Sequence, residues 1–401
     1  MKPNLRLGYL VPQFPGQTHI FFWRELQELK RLGVCTTLIS TSPPPRMAAH
    51  DWSADVAAQT NYLVRRDVAA ALNLLRLPRL GAFLEAIREQ PLSSIKSVLM
   101  AVPSARSLTR ISNQFKLDHI HVHSCGRAAL IAALARGMGA PPYSLTLHGP
   151  LEDYGPHQHF KWGHAAFATV ITQKLLAEST AALGSAMPDA IEVQAMGVDT
   201  DRMSRTSAWQ TPTSGETVRL FSCGRLNPVK GYLDLFEAVN ILRTRGKLVR
   251  LFVGGEDDDG GQGYRQVLED RIRALKLESV VTLLGSVSEE EVQRQLMSAH
   301  AFVLASLHEP LGVALMEAMS CEVPTIGTRS GGVPELITDG VDGILAQPSN
   351  PLMLADAISR VVDNPKMARR VALAGRARIV SKFSAEKSAQ TLLRMASQVG
   401  R

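Results

Sequence analysis

The chain has 401 residues, 45% of them hydrophobic and 20% charged, with a formal net charge of +7. That length is too great for one ordinary core, so two domains are expected, and the composition excludes a disordered or fibrous chain. No apolar run approaches the ~20 residues that span a bilayer, and Leu7 to Val11 is too short for a signal-peptide core, so a cytosolic location is expected.

Arg6–Val11 is predicted as the first strand, followed by the loop Pro12-Gln13-Phe14-Pro15-Gly16-Gln17-Thr18-His19. Phe21–Leu32 is predicted as a helix and Cys35–Ser40 as a strand. Between Asn61 and Arg110, eight basic residues (Arg65, Arg66, Arg76, Arg79, Arg88, Lys96, Arg106, Arg110) face only Asp67, Glu85 and Glu89. Helices with a solvated arginine-rich face account for this segment, and so does a peripheral contact with an anionic membrane surface. Nucleic acid is not expected, because aromatics do not interleave the basic residues and no reading motif is present.

His119–His123 is predicted as a strand, Arg127–Arg136 as a helix and Tyr143–Leu147 as a strand, with Ala165–Thr172 and Ala190–Gln194 continuing the series. Of the alternating His119, His121 and His123, His121 is expected to face opposite to the other two. With no fourth ligand, all three are expected to be strand-end polar residues rather than a metal site. His157, His159 and His164 are expected in a surface loop. The Ser-, Thr- and Pro-rich stretch 204–216 has little apolar periodicity and is predicted as a linker.

A second alternating series follows. Arg219–Cys223, Val249–Val253, Val280–Leu284, Ala301–Ala305 and Pro324–Gly327 are predicted strands. Tyr232–Arg243, Tyr264–Leu275, Glu289–Ala299 and Gly312–Met319 are predicted helices, and from Asp356 the chain is predicted helical to near its end. The expected architecture is α/β: two doubly wound, Rossmann-like domains facing across a cleft. The boundaries are 1–203, 204–216 for the linker, 217–375, and 376–401 for a carboxyl-terminal helix returning to the first domain. Cys35, Cys125, Cys223 and Cys321 are scattered without a CxxC pair, which predicts reduced, buried thiols.

The segment Val303 to Met319 carries the strongest chemical signal. A strand ends near Ser306, Glu309 sits in the turn, and a helix starts near Gly312 with Glu317 in its second turn. A helix N-terminus binds anions through its free N–H groups. Two carboxylates beside it suit a ligand with both a phosphate and hydroxyl groups, such as a sugar nucleotide. Both glutamates stand among apolar residues, so each needs a partner or a task. In Cys223-Gly224-Arg225-Leu226-Asn227-Pro228-Val229-Lys230-Gly231, Arg225 and Lys230 fall at a strand's carboxyl end, where two cations can neutralise a diphosphate. A solvated loop with incidental charges is the plainer explanation of that motif. Glu256-Asp257-Asp258-Asp259 could hold Mg²⁺ through oxygens, but Gly260-Gly261-Gln262-Gly263 makes an exposed loop the expected outcome.

The GRL-x-x-x-KG loop, the Glu-x7-Glu pair and Gly331-Gly332-Val333-Pro334-Glu335-Leu336 together resemble the retaining glycosyltransferases of family 4, with the GT-B fold. The likeness runs through the second domain, including Gly254-Gly255 and Leu284-Gly285-Ser286-Val287, and is looser in the first. The stretch Phe14 to Glu25 is similar to bacterial exopolysaccharide enzymes of the colanic acid type. The resemblance implies a retaining hexosyltransferase that moves a sugar from a nucleotide-sugar donor, expected to be UDP-linked, to a hydroxyl of a glycan or lipid-linked glycan. The sugar nucleotide is then a substrate, and no cofactor or metal is implied.

The resemblance also assigns roles. Arg225 and Lys230 would hold the donor diphosphate, with backbone N–H groups of Leu311, Gly312 and Val313. Glu309 would face the donor sugar, Glu317 the ribose, and Val287 the nucleobase. His148, ending Leu145-Thr146-Leu147-His148-Gly149, would contact the donor sugar and the reacting centre, although a strand-end histidine can also simply cap a turn. Gly16 would let backbone approach the leaving phosphate, and His19 would lie on the acceptor side. Leu311 stands where the family often has phenylalanine, and the first loop has one glycine where many relatives have two. A sugar-nucleotide isomerase or epimerase and a non-catalytic sugar-nucleotide-binding module remain alternatives. A nicotinamide dehydrogenase is disfavoured, since the first strand lacks G-x-G-x-x-G.

Overall fold

The computed structural model describes residues 5–16, 20–43, 52–64, 92–213, 215–257 and 263–399. His19, Asp258, Asp259 and the arginines at 65, 66, 76, 79 and 88 lie outside the described residues. Two compact units are present, Met1–Met196 with Glu386–Arg401, and Gly197–Ala385. Among the described residues no helix is long and apolar enough to cross a membrane.

The first unit holds β1 (Arg6–Gln13), β2 (Cys35–Ser42), β3 (Asn61–Tyr62), β4 (His119–Val122), β5 (Tyr143–Leu147), β6 (Phe167–Val170) and β7 (Ile191–Val193). They form one parallel sheet in the order β3-β2-β1-β4-β5-β6-β7. Parallel neighbours need crossover connections, here supplied by helices such as Ile20–Arg31, Leu92–Gln114 and Arg127–Gly137. All strands run parallel, and the direction in which successive strands are added to the sheet reverses between β1 and β4. The loops at their carboxyl ends diverge there, which opens the crevice where doubly wound folds bind ligands. Every residue of β4 and β5 is buried, as expected for strands covered on both faces.

The helix Ala385–Gln398 belongs to this unit. Its Ala389, Leu392, Leu393 and Ala396 follow the helical repeat and join Leu26 and Leu29 of the helix Ile20–Arg31 in one apolar cluster. The expected unbroken helix from Asp356 onward is in fact three: Pro351–Val362, Pro365–Lys382 and Ala385–Gln398. Pro365 has no N–H to continue a helix, and the Asn364 side chain caps the new start by accepting from Met367 N–H. The second break, at Phe383–Ser384, is where the chain pairs with Val198.

The second unit holds β8 (Val218–Cys223), β9 (Val249–Gly254), β10 (Val281–Gly285), β11 (Ala301–Val303), β12 (Thr325–Thr328) and β13 (Ile344–Ala346). All pair in parallel in the order β10-β9-β8-β11-β12-β13, with the reversal between β8 and β11. The short β3 and β13 carry too few residues for a visible pattern and are absent from the sequence-based assignment. The stretch predicted as a linker is packed on this unit. Trp209 lies in its core, and the Arg205 guanidinium donates to the carbonyls of Leu296 (3.0 Å), Met297 (2.9 Å) and Cys321 (3.0 Å). Those carbonyls lie at the ends of the helices Glu289–Ser298 and Val313–Ser320, where the last turn leaves acceptor capacity open.

Two expectations about histidine fail here. His119, His121 and His123 all share one face, because residues two apart on a strand point the same way. All three are buried. His119 Nε2 and His121 Nδ1 both bond Ser144 Oγ, at 2.8 and 2.7 Å, and His121 Nε2 bonds Thr146 Oγ1 at 2.8 Å. His159 and His164 are exposed as expected, but His157 is buried and bonds Ser97 Oγ at 2.8 Å. The thiols are all free, and Cys35 is exposed rather than buried.

Two measurements test this packing. Replacing Arg205 by Ala removes a donor from three carbonyls and should destabilise the second unit by about 2 kcal/mol, a Tm drop of about 4–8 °C. An unchanged Tm would show that the 204–216 stretch is a free linker. Burial lowers the pKa of His119 and His123 from 6.5 to about 3, so both rings are neutral in the folded chain. The unfolded chain binds protons first, so the stability tied to neutral rings is complete above pH 6.5 and is lost as pH falls toward 3. His119→Phe should flatten that slope by about 1.4 kcal/mol per pH unit in urea titrations.

Candidate functional site

The geometry of the second unit follows from its switch point. The loop after β8 runs from Gly224 to Gly231, and the loop after β11 runs from Leu304 to Gly312. The two are tied together: Leu307 N–H donates to Val229 O at 2.7 Å. Gly231, at φ 65°, brings the backbone so close that a Cβ would sit 2.0 Å from Ala305 O. Only glycine combines that left-handed conformation with that approach.

Across this junction Lys230 and Glu309 meet. Lys230 Nζ lies 2.6 Å from Glu309 Oε2, and Ser306 Oγ donates to the same oxygen at 3.0 Å. The side chains are 18% and 9% exposed, so this is a largely buried ion pair rather than a surface bridge. Such pairs are costly to break, because removal of one partner leaves the other charge in a poor solvent. Ser306 is in turn fixed by Thr328 Oγ1, which donates to Ser306 O at 2.5 Å, and Glu309 O accepts from Gly332 N–H at 2.9 Å. The Gly331-Gly332 motif therefore acts on the Glu309 backbone. Ser306 was visible in the sequence only as a strand end, and its service to Glu309 needs the turn to be seen.

The helix Val313–Ser320 starts where predicted, with Gly312 as its N-cap at φ 98°. A Cβ on Gly312 would come within 2.8 Å of Leu315 Cδ1 and 3.3 Å of Glu309 Cγ, so glycine lets the turn fold over the carboxylate. Leu311 and Gly312 are buried and Val313 is half-buried, and the first amides of this helix are free of helical acceptors. Glu317 is 8% exposed on the same helix. Its charge lies close enough to Cys223, together with burial as the larger cause, to push that thiol's pKa up to about 12. Arg225 is exposed at the mouth of the β8 loop. Val287 packs over the end of β9, where a Cβ on Gly254 would be 3.0 Å from Val287 Cγ2. Thus Arg225, Lys230, Glu309, Leu311, Gly312, Val313 and Glu317 all fall on the two switch-point loops and the helix they lead into. Val287 stands on the neighbouring loop after β10. Glu256 and Asp257 are engaged by Arg265, through a 2.8 Å ion pair and a 2.9 Å backbone hydrogen bond.

In the first unit, Gly16 follows β1 at its switch point, and His148 follows β5. The His148 ring contacts Phe21 (centroids 5.7 Å apart), Phe22 (5.5 Å, edge-on) and His123 (5.7 Å, stacked). The loop beyond His148 is held from beneath by a buried amine: Lys161 Nζ donates to Tyr154 O at 3.1 Å, and burial lowers its pKa to about 8. Tyr143 Oη donates to Lys161 O at 2.5 Å. This support was not apparent in the sequence.

The ion pair is testable without any ligand. Lys230→Met alone should cost about 3 kcal/mol of unfolding free energy. The Lys230→Met/Glu309→Gln double variant should recover part of it, with a coupling of about 1–3 kcal/mol in denaturant titrations. Strictly additive losses would mean that the two side chains do not interact.

Comparison with known proteins bears on the family and the fold. The family model described as Glycosyl transferases group 1 matches residues 204–378, and that described as Glycosyl transferase 4-like domain matches residues 22–209. The alpha-maltose-1-phosphate synthase of Mycobacterium tuberculosis is 26% identical over 354 residues, covering 80% of this chain and 88% of that protein. The amylovoran biosynthesis glycosyltransferase AmsK of Erwinia amylovora is 31% identical over 202 residues, 48% of this chain and 47% of the relative. Among solved structures, HepE of Anabaena in complex with UDP matches with a TM-score of 0.76 at 17% identity, covering 98% of this chain and 100% of that one. The same protein is solved with UDP-glucose. The structural likeness bears on the fold, two parallel-sheet α/β Rossmann-like domains of the GT-B type. Since the two family models together run from residue 22 to residue 378, the chain belongs to the group 1 glycosyltransferases, with a glycosyltransferase 4-like amino-terminal domain.

Proposed function

We propose that the protein is a retaining hexosyltransferase of family 4 that moves a sugar from a UDP-sugar to a hydroxyl of a glycan or lipid-linked glycan in cell-surface polysaccharide synthesis. One observation carries the reading: a cation and a carboxylate meet at a switch point, beside the N-terminus of a helix. A diphosphate can take Lys230, and the freed Glu309 carboxylate can accept from sugar hydroxyls. HepE, a structural neighbour, is solved with UDP and with UDP-glucose, which supports the choice of donor. AmsK, a relative over about half of each chain, is named for amylovoran biosynthesis, which supports the polysaccharide role.

In this mechanism Arg225, Lys230 and the amides of Leu311, Gly312 and Val313 stabilise the charge that develops on the departing diphosphate. Glu317 holds the ribose hydroxyls, Val287 packs on the base, and Gly16 leaves room for a phosphate oxygen. His148 contacts the donor sugar. The departing phosphate accepts the proton from the acceptor hydroxyl on the same face of the sugar, so the anomeric configuration is kept without a protein nucleophile. His19 belongs to the acceptor side. Because side chains and amides supply the positive charge, turnover proceeds without a divalent cation or other cofactor.

The test uses purified protein, UDP-glucose as the probe donor, and lipid-linked glycan extract as acceptor. The α-linkage should be retained in the product by NMR, and EDTA should leave the rate unchanged. Glu309→Ala should lower kcat by about 100-fold while the affinity for UDP changes little, because the lost contact is to the sugar. An inverted product, or a Glu309→Ala rate equal to that of the unaltered protein, would refute the mechanism.

A further inference from the structure

Glu25 lies on the helix Ile20–Arg31 and is 2% exposed. A carboxylate buried to that degree needs several donors. It has two from separate parts of the chain: Tyr9 Oη of β1 donates to Oε2 at 2.8 Å, and Ser388 Oγ of the helix Ala385–Gln398 donates to Oε1. His123 Nε2 stands 3.1 Å from Oε2, a close contact outside hydrogen-bond geometry. A neutral imidazole has one N–H, and a carboxylate oxygen carries only lone pairs, so a proton on Nε2 is the tautomer that avoids lone-pair repulsion across this contact. Burial keeps that ring neutral.

His123 in turn is one wall of the His148 ring. The two rings are stacked, with centroids 5.7 Å apart and planes 29° apart. Phe22, one turn before Glu25 on the same helix, packs edge-on to His148 at 5.5 Å and tilted on His123 at 4.8 Å. The helix thus presents two groups at once: Phe22 against both rings, and Glu25 against the far nitrogen of His123. Tyr9, 4.4 Å from the His123 ring, and His121, also 4.4 Å away, close the remaining sides. Apart from His148, none of these residues is assigned a part in transfer above.

We propose that Glu25 is a positioning residue: it fixes the tautomer and orientation of His123, and through that ring the orientation of His148. The inference rests on the reading of His148 as the group that contacts the donor sugar. Because Ser388 bonds the same carboxylate, the carboxyl-terminal helix contributes to the same arrangement.

The experiment uses the full chain labelled with ¹⁵N-histidine, with UDP-glucose as the probe donor. The unaltered protein should show His123 as the Nε2–H tautomer. Glu25→Gln, which keeps volume but removes the charge, should shift the His148 ring resonances and lower kcat by about 10- to 100-fold, with KM for UDP-glucose within about twofold. If Glu25→Gln does not fold, Ser388→Ala removes one donor to the same carboxylate, and the same resonances and rates are read. His148 resonances that stay in place in a folded variant overturn the proposal, as does a shift of His148 with kcat unchanged. An Nδ1–H tautomer at His123 in the unaltered protein also overturns it. A protein that binds no UDP-sugar at all refutes the transferase reading instead, and leaves the resonances to judge the Glu25–His123–His148 geometry by themselves.

Discussion

The contact between Lys230 and Glu309 is the point on which the second unit turns. Two loops leave adjacent parallel strands in diverging directions, and each places one charged residue in the gap between them. At 2.6 Å and largely out of solvent, neither charge is stable without the other or a substitute. That constraint explains features that otherwise look unrelated. Gly231 lets one loop touch the backbone of the next, and Gly312 lets a helix begin directly over a carboxylate. Ser306, Thr328 and Gly332 fix the same turn. A ligand that brings negative charge for the lysine and hydroxyl groups for the glutamate replaces the ion pair on both sides at once. A ligand with only one of these leaves a buried charge uncompensated.

The first unit solves a different problem. Its central strands carry histidine, serine and threonine where a parallel sheet usually carries valine and isoleucine, and these polar groups are buried. They are tolerated because they bond one another across β4, β5 and β6, from His119 and His121 through Ser144 and Thr146 to Thr169. The ladder ends at His123, beside a buried carboxylate and the ring of His148. Side-chain bonds of this kind inside a low-dielectric sheet favour one arrangement of the groups that make them. The helix Ala385–Gln398 completes that network through Ser388 as well as covering the apolar cluster.

Much of this was legible from residue order. Alternating strands and helices announced two doubly wound sheets, and the spacing from Val303 to Met319 located the strand, turn and helix to within a few residues. The charged residues at strand ends marked the switch-point loops, because such loops are the usual place for ligands. What stayed hidden was mostly tertiary. The stretch 204–216 has the composition of a linker, yet one arginine meets three carbonyls far away in sequence and anchors it. The partner of Glu309 cannot be named from sequence, since Lys230 lies 79 residues away. The facing of His121 needed only the two-residue repeat of a strand, and the expectation there was at odds with that repeat. The burial of His157 and Lys161 depends on how the loop after β5 folds back, which no local pattern encodes.

The account stands or falls on whether the switch-point loops of the second unit hold a pyrophosphate. Isothermal titration calorimetry of the folded, unaltered protein with UDP and with uridine tests this most directly. UDP should bind with a Kd at or below about 100 μM, and uridine should bind at least about 10-fold more weakly, since loss of charged hydrogen bonds costs about 1.5–3 kcal/mol. No uptake of UDP or any other nucleoside diphosphate, or equal affinity for UDP and uridine, would contradict it.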